Sequence, residues 1–131
     1  MAETPAALEL PLGLSTGAFW RSPLLGCLQP IRDAGFGQIE IASSPSHLDF
    51  HDRSACAAAA ARIRELGLGV HSFHAPFTDQ IDISALDSRA RDTAVREISQ
   101  AAEAAAILEA RFFVPHPGPE PTGAPRGGRL R

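Results

Sequence analysis

Two histidines, His74 and His116, each sit at the end of a short apolar run that is halted at once by proline. The first run reads Val-His-Ser-Phe-His-Ala-Pro-Phe, from Val70 to Phe77. The second reads Arg-Phe-Phe-Val-Pro-His-Pro-Gly, from Arg111 to Gly118. Neutral imidazole is a borderline ligand for zinc or manganese and also donates to sugar hydroxyls. A converging pair could therefore hold a metal or a substrate. The competing account is two loop-edge histidines satisfied by backbone groups. Glu40, inside Gln38-Ile39-Glu40-Ile41-Ala42, would face the same interior. A buried carboxylate needs a partner, so a site role and a structural hydrogen bond both explain it.

Strand geometry sorts the remaining candidates. Side chains alternate, so Val70, Ser72 and His74 are expected on one face and His71 and Phe73 on the other. His71 and His74 then do not enter one site from a regular strand. Phe112, Val114 and His116 share a face, so adjacent strands would set His74 beside His116. His47 and His51 fall in a loop and read as solvent-exposed. Asp79 and Asp82 could meet a metal or sugar, although turns and caps are the commoner use of such residues. Ser15 has no base near it in sequence, and no Gly-rich phosphate cradle precedes a helix. Cys27 and Cys56 form no metal-binding spacing and read as small buried thiols.

The elements that must carry these groups alternate. A first strand is expected over Leu10–Thr16, with Pro11 tolerable only near its start. Ser22-Pro23 reads as a helix start, and Pro30 should kink or divide that helix. The second strand is Gln38–Ala42. Asp52 caps a second helix, Arg53–Leu66, closed by Gly67. The third strand is Gly69–His74. After a polar loop over 78–86, Asp87 or Ser88 starts the longest helix, reaching about Glu109. Its apolar face is drawn through Val95, Ile98, Ala102 and Ala105. Arg111–His116 is the fourth strand. Strands alternating with helices imply a parallel sheet with functional groups at its carboxyl edge.

The chain has 131 residues, the size of one domain, and 44% are hydrophobic. A net charge of −3 argues against nucleic acid as a partner. No run of about 18 apolar residues crosses a membrane. The first residues lack a secretory signal, so a cytoplasmic protein is expected.

These residues resemble a known family. Gly-Val-His-Ser-Phe-His-Ala-Pro-Phe, then Ile-Asp-Ile-Ser, then Arg-Asp-Thr-Ala-Val-Arg-Glu-Ile, then Phe-Phe-Val-Pro-His-Pro-Gly, looks like the first half of a xylose isomerase-like TIM barrel. Gly-Phe-Gly-Gln-Ile-Glu-Ile is similar to the family's second strand. The resemblance implies an α/β fold, a partial TIM barrel of about four parallel strands alternating with three helices. It implies a half (β/α) barrel over 10–118; the residues themselves set off a flexible leader over 1–9 and a disordered tail over 119–131, dominated by Pro, Gly and Arg. The implied activity is a divalent-metal-dependent isomerase or epimerase acting on a sugar or sugar phosphate, with Mn, Co, Mg or Zn. His74, His116 and Glu40 would then be substrate-binding. In the related apurinic-site nucleases of the endonuclease IV type, the positions of His74 and His116 are metal ligands.

Three departures accompany the resemblance. A full barrel takes about 250 residues, and this chain supplies four strands. The later strands carry the family's acidic ligands and proton-transfer residues, so the chain alone is expected to be incomplete and inactive. Pro115 stands where a strand amide is expected, and Glu109 where the family has a helix-ending glycine. A truncated or frameshifted reading frame would account for these features. Open sheet edges would also permit a non-catalytic homodimer.

Overall fold

The computed structural model describes residues 11–118. The expected leader over 1–9 and tail over 119–131 lie outside the described residues. Four strands, β1 (Gly13–Ser15), β2 (Gln38–Ala42), β3 (Gly69–His74) and β4 (Phe112–Val114), form one parallel sheet in the order β1-β2-β3-β4. Three helices connect them: α1 (Leu24–Asp33), α2 (Arg53–Glu65) and α3 (Ser88–Ile107). This is the parallel α/β sheet that the alternating pattern implies, in the partial-barrel form that the family resemblance implies.

Local chemistry explains most boundaries. Asp52 accepts from the amides of Ser54 and Ala55 and starts α2. Asp87 accepts from the Ala90 amide and starts α3. Gly67 ends α2 at φ +64°, a conformation that costs glycine nothing. Glu109 performs the same task after α3 at φ 57°, where a side chain is strained. Its carboxylate meets Arg64 at 2.9 Å.

Several boundaries differ from expectation. β1 is shorter than Leu10–Thr16, because Thr16 opens a 3₁₀ turn over Thr16–Phe19. Ser22 does not cap α1; the first helical amide, Leu24 N–H, instead donates to the His47 carbonyl at 2.9 Å. Pro30 does not divide α1, which runs on to Asp33. β4 stops at Val114, so Pro115 lies beyond the strand and removes no ladder bond.

The core lies between the helices and one face of the sheet. Ile39 and Ile41 of β2 are fully buried there against Leu24, Leu28 and Ile31 of α1 and Ile63 of α2. The buried stripe of α3 is Ala94, Ala101, Ala104 and Ala105, not the line through Val95 and Ala102. Val95 is 50% exposed. Alanine is the small residue that lets a helix lie close to its neighbour, so shape chose the stripe over hydrophobicity.

The register of β3 holds a further correction. Ile39 pairs with Val70, but Glu40 pairs with Ser72, so a β-bulge falls at His71. Val70 therefore joins Phe73 on the core face, while Ser72 and His74 stay on Glu40's face. His71, the extra residue, is exposed, and its ring lies against Phe112 at 5.1 Å.

Candidate active site

The concave face of the sheet carries two layers of polar groups. In the lower layer Glu40 sits between Ser15 and Ser72, its register neighbours. The Ser15 hydroxyl donates to Oε1 and the Ser72 hydroxyl donates to Oε2, both at 2.9 Å. The carboxylate thus accepts from two hydroxyls. Ser15, set aside as a nucleophile for want of a base, serves here as a donor.

In the upper layer Ala42, His74 and Val114 are register partners. His116 follows β4 by two residues and turns back over this edge. Its Nε2 lies 3.0 Å from the His74 Nε2. The rings meet edge-on at 64° with centroids 4.8 Å apart. At that separation one nitrogen carries the proton and the other accepts it. The pair therefore offers one donor and one acceptor edge at the carboxyl rim. His74 is held firmly: the Ser43 amide donates to its carbonyl, and the Ala75 amide donates to the Val114 carbonyl.

His74 and His116 are brought together as their strand positions imply. Glu40 shares their face but lies one layer lower, bound to its serines. Among the described residues no group of three or more His, Cys, Asp or Glu side chains could hold a metal. A catalytic zinc site takes three protein ligands. Within residues 11–118, His74 and His116 bring two imidazoles together, one short of such a set.

A cavity of about 780 Å³ opens against the amino-terminal half of the sheet, lined by Gln38, Glu40, Ser72 and Arg111 among others. His74 and His116 stand outside it. Parallel α/β barrels work at the opposite, carboxyl edge, so the histidine rim is the better candidate and the cavity is the open trough beneath it.

His47 overturns its sequence reading. It is 4% exposed and lies at the centre of a buried network. Its Nδ1 is 2.6 Å from the Ser22 carbonyl, so Nδ1 carries the proton. Its Nε2 is 2.9 Å from Thr16 Oγ1, which already accepts from the Ala42 amide at 3.1 Å. The Thr16 hydroxyl therefore donates to Nε2. This network ties the turn after β1 to the end of β2 and the start of α1. His51, by contrast, is on the surface, between Asp49 at 3.1 Å and Glu97 at 2.9 Å. Desolvation pulls its imidazole down, but the hydrogen bonds and charges of those carboxylates outweigh it and raise it above the ordinary histidine range.

Asp82 is buried and accepts from the Ser84 amide and hydroxyl, the turn role expected of it. Cys27 and Cys56 are free and buried, and burial pushes both thiols up. The residue that sequence reasoning passed over is Phe77, whose ring stacks on His116 at 4.1 Å and 12°. Its place three residues after His74, beyond a chain-directing Ala-Pro, was the available signal.

Residues 28–130 match the sequence model of the xylose isomerase-like TIM barrel family. No curated protein matches the chain. Among solved structures, L-ribulose 3-epimerase is similar with TM-score 0.64 and 26% identity, over 86% of this chain and 39% of that one. D-psicose 3-epimerase in the presence of D-fructose gives 0.66 and 13%, over 81% and 37%. The 3-keto-D-glucoside 4-epimerase of E. coli gives 0.60 and 20%, over 80% and 37%. The last two likenesses speak to the fold alone. The matched region amounts to about two-fifths of the length of each of these proteins.

Proposed function

The chain belongs to the xylose isomerase-like TIM barrel family, and on that premise we propose that it supplies the sugar-facing first half of a ketose isomerase or epimerase. The observation that carries this reading is the pair of imidazole nitrogens 3.0 Å apart on the carboxyl rim. A ketose presents a carbonyl beside a hydroxyl. One ring donates to the carbonyl oxygen, and the other accepts from the hydroxyl. Glu40, with Ser15 and Ser72, forms the polar floor below. The proton-transfer carboxylates and any divalent-metal ligands come from outside residues 11–118 in this reading. Those residues bind and orient sugar without turning it over. A cytoplasmic setting suits such a substrate.

The test is a titration of the chain, carrying ¹⁵N-labelled imidazoles, with D-fructose, L-ribulose and their phosphates. The His74 and His116 signals should move, and His74→Ala should abolish the response. Rings that ignore every ketose while the fold persists would refute the binding role. Fast epimerisation by the chain alone with manganese or cobalt would refute its incompleteness. A nuclease reading remains weaker, since the net charge of −3 opposes a DNA footprint; tight, salt-dependent binding of abasic DNA would reverse that order.

A second reading draws on the edges of the sheet. Among the described residues β1 and β4 each pair on one side only. Phe112 and Val114 are 48% and 39% exposed on the concave face. A second copy placed β4 against β1 would complete eight strands and cover both residues.

A further inference from the structure

We propose that Phe77 is the positioning residue of the histidine pair, holding the His116 ring in the one plane from which its Nε2 reaches His74. Three rings form a series at the rim. Phe77 lies flat on His116, with centroids 4.1 Å apart and planes 12° apart. His116 then meets His74 edge-on through the contact of 3.0 Å between nitrogens.

The need for a support differs between the two histidines. His74 ends a central strand and is anchored through backbone bonds on both flanks. His116 lies beyond the last strand, between Pro115 and Pro117. Neither proline has an amide hydrogen, so the flanking chain cannot be tied by donation. The terminal torsion of a histidine side chain is broad, so the backbone alone does not set the ring plane. A flat ring stacked on it does.

The turn that delivers Phe77 is itself packed in. Ala75 is 1% exposed and Pro76 is buried. Phe77 nevertheless remains 55% exposed, so its contribution to the hydrophobic core is small. Its well-defined contact is with the imidazole. This role concerns the geometry of the free protein; only its consequence for affinity rests on the sugar-binding reading.

The experiment uses the full chain without ligand. Imidazole ¹⁵N spectra of the wild type should show one protonated and one bare Nε2, the signature of the His74–His116 bond. In Phe77→Leu both rings should drift to averaged signals, while the amide spectrum keeps the pattern of the folded sheet. Phe77→Tyr keeps the stack and should restore the wild-type signature. Titration with L-ribulose then extends the test: affinity should fall roughly two- to tenfold in Phe77→Leu and recover in Phe77→Tyr, the range an aromatic stack is worth. A Phe77→Leu spectrum with the bond intact overturns the proposal. So does a folded Phe77→Tyr that has lost it, or a wild type whose rings are already averaged. A wild type with the signature but no response to any ketose overturns the sugar reading and leaves the positioning role standing.

Discussion

At the scale of single residues, the same amino acid does four different jobs here. His47 is a buried staple, His51 a surface bridge, and His74 and His116 a rim pair, while His71 is pushed outward by a bulge. Burial and partners separate them, and neither is written in the residue type. The staple makes a sharp prediction. His47→Leu should destabilise the chain by about 1 to 3 kcal/mol, because it leaves the buried Thr16 hydroxyl without its acceptor and removes the bond to the Ser22 carbonyl. Thr16→Val should lose part of the same energy, and the double variant should lose less than the sum. Denaturant titration reads all three; additive losses would dissolve the network. Of the candidate site residues, His74, His116 and Glu40 were legible from strand endings and alternation. Glu40's partners were not, since Ser15 and Ser72 lie 25 and 32 residues away in sequence.

At the scale of elements, helix ends show where local rules suffice and where they fail. Asp52, Asp87 and Gly67 act as their types dictate. Glu109 does not, and its left-handed backbone is a standing cost. Glu109→Gly should stabilise the protein by about 1 kcal/mol. The Arg64 pair it gives up is exposed and worth little. Glu109→Ala, which loses the pair but keeps the strain, should change stability by less than about 0.5 kcal/mol, and thermal melts compare the two. His51 joins the loop before α2 to α3 through Asp49 and Glu97. Its folded pKa is raised, so its stabilisation is fully present below the unfolded value of about 6.5 and fades as pH rises through the folded value. Melting temperature should therefore decline across that window in the wild type and less so in His51→Gln. Identical pH slopes for the two proteins would contradict the bridge.

At the scale of the whole molecule, four parallel strands make half of a closed barrel, with its concave side uncovered among the described residues. An open edge on a parallel sheet is a place for further strands. If a second copy supplies them, light scattering should give twice the 13.9 kDa chain mass. Val114→Lys, on the edge strand, should then return the protein to a monomer without unfolding it. A wild type that stays monomeric at high concentration removes the paired arrangement and leaves the sugar-facing rim untouched.

Sequence alone determined the order of elements, the parallel sheet and the amino-terminal caps of α2 and α3. It also placed one histidine at the end of the third strand and another close to the end of the fourth. Each of these depends on periodicity, proline, glycine and capping groups that act within a few residues. Tertiary structure decided the rest. The bulge at His71 reassigns Val70 because strand pairing, not alternation, sets the register. His47 is buried because its acceptor and donor come from elements distant in sequence. Ala94, Ala101, Ala104 and Ala105 face inward because a close helix contact rewards small volume. Phe77 reaches His116 because a turn after one strand overhangs the end of its neighbour. In every case the deciding partner is remote in sequence, where a hydrogen bond or a packing contact acts but a local pattern does not.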